Sequence, residues 1–224
     1  MIGKTTSHYK ILEKLGEGGM GVVYKVQDTK LDRLLALKFL PPQLTINEAD
    51  KERLLQEAKA ASAINHPNVC VIHDIQEHEQ QPFIVMEYVE GENLSNYIRT
   101  ADSQLLKMSD VLEWVLQIAA ALEVAHGKDI VHRDIKSENI MVTKSKQIKV
   151  MDFGLAKLRG SLKLTKTSTT VGTLGYMAPE QLEGKATDVR SDIFSFGVVL
   201  YEMLTGKLPF RGEYESAIMY TILN

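Results

Sequence analysis

Four side chains spread across the middle of this 224-residue chain could together handle a phosphoryl group. Lys38 stands in Ala36-Leu37-Lys38-Phe39-Leu40, and Asp134 and Asn139 in His132-Arg133-Asp134-Ile135-Lys136-Ser137-Glu138-Asn139. Asp152 opens Asp152-Phe153-Gly154. A lysine supplies a cation for phosphate oxygens, and a carboxylate such as Asp134 can orient a hydroxyl and accept its proton. Lys136, two residues on, can reach the same side and neutralise charge on the group in transit. Asn139 and Asp152 offer the oxygen ligands that magnesium prefers. This is nearly the whole inventory needed to move the γ-phosphoryl group of ATP. Any one string could be a solvated turn or chance, but the ordered set is hard to explain that way.

A glycine loop precedes them. Gly16-Glu17-Gly18-Gly19-Met20-Gly21 matches G-x-G-x-x-G, a weak signal alone, because a hairpin can need glycine for its own sake. A dinucleotide loop would lead from a strand into a helix. Here Val22-Val23-Tyr24 follow, so the loop reads as a hairpin turn whose glycines let backbone lie close over phosphates. Lys38 sits in an apolar strand, where a buried charge is expensive unless it meets an anion. Glu57 on the next helix is the obvious protein partner and phosphate the obvious ligand; a lysine snorkelling from a sheet edge is the bland alternative.

The elements that must position these groups change in kind along the chain. Strands are expected at 9–16, 22–27 and 34–40, with Pro41-Pro42 closing the third. Leu54, Leu55, Ala58, Ala61 and Ile64 recur at helical spacing, which predicts an amphipathic helix over 47–64. Strands at 69–74 and 82–88 follow. Beyond Gly91 the pattern is mainly helical: a short helix at 94–100, then a long one capped by Ser109 and running to His126. Its apolar face is predicted to carry Leu112, Val115, Leu116, Ala119, Leu122 and Ala125. Two short strands, 140–143 and 148–151, flank the turn at 144–146. Residues 161–173 read as a mobile Ser/Thr-rich loop, and 193–204, apolar nearly all round, as a buried central helix.

Composition is that of an ordinary soluble protein, 44% apolar and 25% charged. A net charge of -3 with interspersed signs gives no footprint for nucleic acid or anionic membrane. The single Cys70, in the apolar run Val69-Cys70-Val71-Ile72, excludes an internal disulfide and reads as a buried thiol in a reducing, cytoplasmic setting. No stretch has the length and apolarity of a signal peptide or a membrane span.

In its motifs and their order the chain resembles the eukaryotic-type protein kinase family, from Tyr9 to the last residue. The resemblance implies a bilobal α+β fold. Residues 1–89 would form an N-lobe of antiparallel sheet plus one helix, and 90–224 a mainly helical C-lobe. It implies ATP and Mg2+, with Mn2+ as a substitute, and a protein substrate. Leu15, Gly16, Gly18, Gly21, Val23, Ala36, Lys38, Met86 (the gatekeeper), Glu87, Val89 and Glu92 would surround ATP. Lys38 would pair with Glu57, Asp134 would be the base beside Lys136, and Asn139 and Asp152 would hold the metal. Asp192 would brace the catalytic-loop backbone.

Lys136, and Gly172-Thr173 ahead of Tyr176-Met177-Ala178-Pro179-Glu180, are similar to the Ser/Thr branch. There Thr173 would hydrogen-bond around Asp134 and Lys136. The run from Gly16 to Tyr24, His66-Pro67-Asn68-Val69-Cys70, and 188–210 resemble bacterial Ser/Thr kinases. Arg133 beside Asp134 suggests a phosphate switch, with Thr165, Thr167, Ser168, Thr169 and Thr170 as acceptors.

The pattern breaks at Asn224, part-way through an expected helix. Relatives in the family continue and supply an Arg to the glutamate at Glu180. Its absence predicts an unpaired carboxylate costing about 3–5 kcal/mol, reduced cover over Met203, Leu204, Phe210, Ile218 and Ile222, and a less stable fragment or one that borrows a partner's surface. A homodimer through the activation segment or the incomplete C-lobe fits that expectation. A scaffold that holds ATP without turnover is the competing reading.

Overall fold

The computed structural model describes residues 1–18, 21–41, 48–79, 81–100, 105–153 and 171–224, with backbone alone at 48–50, 53, 54, 171 and 172. The chain divides into two compact units. One holds residues 1–65 and 70–89, the other 66–69 and 90–224, apart from residues in the undescribed stretch 154–170.

The first unit is a six-stranded antiparallel sheet with one helix. Its strands are β1 (Thr5–Thr6), β2 (Tyr9–Gly18), β3 (Gly21–Asp28), β4 (Arg33–Phe39), β5 (Ile72–His78) and β6 (Gln81–Glu87), in the order β1-β2-β3-β4-β6-β5. Helix α1 (Glu48–Ser62) joins β4 to β5. Alternation along the strands divides the sheet's two faces. One face buries Tyr9, Ile11, Val26, Leu35, Leu37, Phe39, Phe83 and Val85 in a single apolar cluster. Phe39 and Phe83 have ring centroids 5.2 Å apart. Cross-strand pairs share a face, so the opposite face carries Val23 with Lys38 and Ile84, and Lys25 with Ala36 and Met86.

β5 begins at Ile72 and runs to His78 rather than over 69–74. The reason is that Val69 is drawn into the second unit, where it bridges Val150 in parallel. Ala58, Ala61 and Ile64 are buried as expected, whereas Leu55 is exposed. Cys70 is a buried free thiol.

The second unit contains a three-stranded sheet, β7 (Gly91–Asn93), β8 (Ile140–Thr143) and β9 (Ile148–Val150). Its helices are α2 (Leu94–Thr100), α3 (Met108–His126), α4 (Val171–Leu174), α5 (Pro179–Leu182), α6 (Val189–Thr205) and α7 (Glu215–Leu223). Asn93 Oδ1 caps α2 by accepting the Asn96 N–H at 2.8 Å. Asp188 caps α6 through the Arg190 N–H, and Gly206 ends it in the left-handed region (φ 69°).

Two helix readings are corrected. α3 starts one residue before Ser109, with Lys107 at the cap position and no side-chain cap. Its buried face is Val111, Trp114, Ile118, Ala121, Leu122 and Ala125, while Leu112 and Leu116 are 58% and 71% exposed. Trp114 decides the phase: its large ring is fully buried and its indole N–H reaches the Lys146 carbonyl at 2.9 Å. α6 is not buried all round, since Ile193 is 58% exposed. Its inward face instead carries Ser191, Asp192, Ser195 and Glu202, each with a hydrogen-bond partner.

The C-terminal helix is better covered than expected. Met203, Ile218 and Ile222 are buried, and Ile218 and Ile222 pack with Leu174 beside half-buried Met177, Leu182, Phe194 and Phe210. Leu204 remains exposed. Among the described residues no helix is long and apolar enough to cross a membrane.

Candidate active site

In the first unit, the sheet face opposite the apolar core gathers Val23, Ala36, Lys38 and Met86. Lys38 is only 3% exposed, so its ammonium must be matched by an anion. Glu57 lies half-buried on α1 beside the fully buried Ala58. The two parts of the glycine hairpin differ in kind. Gly16 and Gly18 face open space where a Cβ would be. Gly21 has φ 113°, and a Cβ there would lie 1.9 Å from the Phe39 carbonyl oxygen. Gly21 is thus required by the approach of β3 to β4, whereas Gly16 and Gly18 leave backbone uncovered, as a phosphate cradle requires. Leu15 is exposed at a register shift between Lys14 and Gly16, a bulge that turns the strand just before the hairpin.

At the end of this unit Met86 is buried in β6 and Glu87 closes the strand, its N–H donating to the Val71 carbonyl at 2.9 Å. The half-buried Val89 makes no backbone hydrogen bond among the described residues. Glu92, across the unit boundary, is an exposed residue of β7 paired with Val142.

The second unit builds the polar loop. His132 is fully buried and fixes the loop's start. Its Nδ1 accepts the Asp134 N–H at 3.2 Å and its Nε2 donates to the Met151 carbonyl at 2.7 Å, which assigns the Nε2–H tautomer. The ring meets Phe153 edge-on at 4.7 Å. Arg133 and Asp152 both have left-handed backbones (φ 66° and 58°), costly for non-glycine residues.

Asp192 supplies the compensation at Arg133. Completely buried on α6, it accepts the N–H of His132 at 2.8 Å, that of Arg133 at 2.7 Å, and His126 Nε2 at 2.8 Å.

Asp134 is held on one side only. Its Oδ2 takes Lys136 Nζ at 3.2 Å and Asn139 Nδ2 at 3.0 Å, and Asn139 Nδ2 also reaches the Asp134 carbonyl at 2.7 Å. Among the described residues Oδ1 receives no hydrogen bond. Because the Asn139 amide nitrogen is spent on Asp134, its Oδ1 is the end available to a cation. The Asn139 carbonyl accepts the Met151 N–H at 2.8 Å, which brings Asp152, the next residue, close in the chain. This pair of hard oxygen donors suits a divalent ion. Among the described residues no group of three or more His, Cys, Asp or Glu is placed to hold a metal ion.

Two expectations fail here. Thr173, in α4, makes no hydrogen bond to Asp134 or Lys136; its carbonyl accepts the Tyr176 N–H at 3.3 Å. Glu180 is not unpaired, since the Ser191 hydroxyl donates to its Oε1 at the N-terminal turn of α6. Thr165, Thr167, Ser168, Thr169 and Thr170 lie outside the described residues.

Sequence reasoning missed Ser137, Tyr176, Gln181 and Glu202. Ser137 and Tyr176 are joined at 2.9 Å, and Tyr176 donates to Glu202 Oε2 at 2.6 Å. A glutamate in an apolar helix was the available signal for Glu202.

The protein kinase domain family matches residues 9–224. The probable serine/threonine-protein kinase PknB of Lactococcus lactis is 40% identical over 97% of this chain and 35% of its own length. PrkC of Bacillus subtilis, a serine/threonine-protein kinase, is 42% identical over 95% of this chain and 33% of its own. The chain thus spans about a third of the length of these relatives. Among solved structures, the PknI kinase domain of Mycobacterium tuberculosis is 28% identical and superposes with a TM-score of 0.77, covering 96% of this chain and 79% of that one. The chain belongs to the protein kinase domain family, in its eukaryotic-type serine/threonine branch.

Proposed function

We propose that this domain transfers the γ-phosphoryl group of ATP to serine and threonine hydroxyls of proteins. Family membership implies use of ATP and a divalent metal. The observation that carries the reading is the asymmetric Asp134 carboxylate, one oxygen held by Lys136 and Asn139 and the other open.

In this reading Asp134 Oδ1 accepts the proton of the substrate hydroxyl as its oxygen attacks the γ-phosphorus and the bond from that phosphorus to the bridging β-phosphate oxygen breaks, releasing ADP. Lys136 stays within reach of the same carboxylate and balances the charge that accumulates. Lys38, paired with Glu57, meets the phosphates beside the uncovered backbone at Gly16 and Gly18. Val23, Ala36, Met86 and Leu15 would line the adenine, backbone at Glu87 and Val89 would hydrogen-bond it, and Glu92 would serve the ribose. Asn139 and Asp152 would hold Mg2+, or Mn2+ in its place, and the bound ion would supply charge neutralisation for the phosphates.

Control by phosphorylation at Thr165, Thr167, Thr169 or Thr170 belongs to the same proposal. It is supported by Arg133, whose buried Nε has no hydrogen-bond partner among the described residues and is suited to a phosphate. Residues 1–89 and 90–224 act as the two lobes of one domain, and self-association is checked by sedimentation.

The deciding experiment is phosphate transfer from labelled ATP and magnesium to a degenerate Ser/Thr peptide library. Asp134→Asn is expected to lower transfer by about 10²–10⁴-fold. Equal transfer by both proteins would leave a nucleotide-binding scaffold as the reading.

A further inference from the structure

Two hydrogen bonds lace residues 132–139 to residues 176–181, one on each side of Asp134. Before it, Gln181 Nε2 donates to the Arg133 carbonyl at 2.8 Å. The oxygen of the same side-chain amide accepts the Ala178 N–H at 3.0 Å, which fixes the amide's orientation. After it, Ser137 Oγ lies 2.9 Å from the Tyr176 phenol oxygen. That phenol gives its only proton to Glu202 Oε2 at 2.6 Å, so the serine hydroxyl is the donor in the first contact.

Ser137, Tyr176 and Glu202 are all buried. Ser195 Oγ donates to the Tyr176 carbonyl at 2.7 Å, tying the same residue to α6 a second time. Burial first, and then Glu202, pushes the Tyr176 phenol far above its ordinary range, so it stays a donor. A buried chain of this kind is stable only when every member is satisfied, which confines the backbones it joins to a narrow range of positions.

The acceptor in the proposed reaction is a polypeptide. To bring a hydroxyl to Asp134 Oδ1, its backbone must lie against the segment beside the loop, and residues 176–181 are tied to that loop. We propose that Ser137 and Gln181 are positioning residues that set Asp134 relative to the segment on which the protein substrate rests. They touch neither the reacting atoms nor the nucleotide-facing sheet. The inference rests on the kinase reading above, and it assigns a specific job to two residues that reading does not use.

The test compares wild type with Ser137→Ala, Gln181→Ala and Gln181→Glu. Peptide-library phosphorylation is resolved into kcat and KM, and ATP affinity is measured by direct titration. Each variant is expected to lose about tenfold in kcat/KM for peptide, the size of one net hydrogen bond, with ATP affinity within about twofold of wild type. Gln181→Glu keeps the acceptor for Ala178 but loses the donor to Arg133, so it should fall with Gln181→Ala. If Ser137→Ala fails to fold, the half-exposed Gln181 pair carries the same prediction. The double variant Ser137→Ala with Tyr176→Phe should lose no more peptide turnover than the worse single variant.

Peptide kcat/KM within twofold of wild type in the Gln181 variants overturns the proposal, as does ATP affinity falling by the same factor as peptide turnover. Wild-type transfer no greater than that of Asp134→Asn would instead sink the kinase reading, and this inference with it.

Discussion

Asp192 Oδ1 accepts the Arg133 N–H at 2.7 Å across 59 residues of sequence. The bond stabilises a left-handed backbone at Arg133 (φ 66°) that the chain would otherwise abandon. Through it, a helix far along the sequence holds the loop that carries Asp134.

Asp192→Asn tests this support. An amide in place of the carboxylate offers one acceptor and turns an N–H toward His132 or Arg133, leaving a buried donor unmatched. Stability in a denaturant titration is expected to fall by about 2–4 kcal/mol, with peptide phosphorylation falling more steeply than ATP affinity.

The glycines of the hairpin should separate by function. Gly16→Ala and Gly18→Ala enter open space and should change stability by no more than about 0.5 kcal/mol while weakening ATP binding. Gly21→Ala places a Cβ against the Phe39 carbonyl at an unfavourable φ and should cost about 3 kcal/mol. Thermal melts with and without ATP check all three.

Glu202 gives a pH signature. Burial raises its pKa above the ordinary carboxylate value, against the lowering effect of the hydrogen bond from Tyr176. A raised carboxylate favours the protonated native state, so its contribution is fully present below the unfolded value of about 4.3 and is lost as pH rises through the native value. Wild type should therefore lose stability relative to Glu202→Gln across that window. A stability difference that does not change with pH would refute the assignment.

The phase of α3 can be read by substitution. Leu112→Ser and Leu116→Ser, on the exposed face, are expected to move stability by less than about 0.5 kcal/mol. Ile118→Ala, fully buried, should cost about 3–4 kcal/mol. Unfolding midpoints at constant m-value distinguish the two faces.

The sequence by itself determined the family and the order of the elements. Lys38, Asp134, Lys136, Asn139 and Asp152 stood out because phosphoryl transfer admits few residue types, and the loop and strands around them carry short-range signals. The glycine hairpin was legible because Val22-Val23-Tyr24 continue as a strand.

Tertiary structure decided everything that depended on which surface met which. Leu112 and Leu116 satisfied a helical period as well as Trp114 and Ile118 did, and only the place where Trp114 could bury its ring and reach Lys146 chose between the faces. Strand β5 slid to Ile72–His78 because Val69 found its partner in Val150. Glu180 met Ser191, Ser137 met Tyr176, and Tyr176 met Glu202, because a buried polar atom takes the nearest complementary group in space. Local spacing cannot encode a partner tens of residues away; packing brings it there.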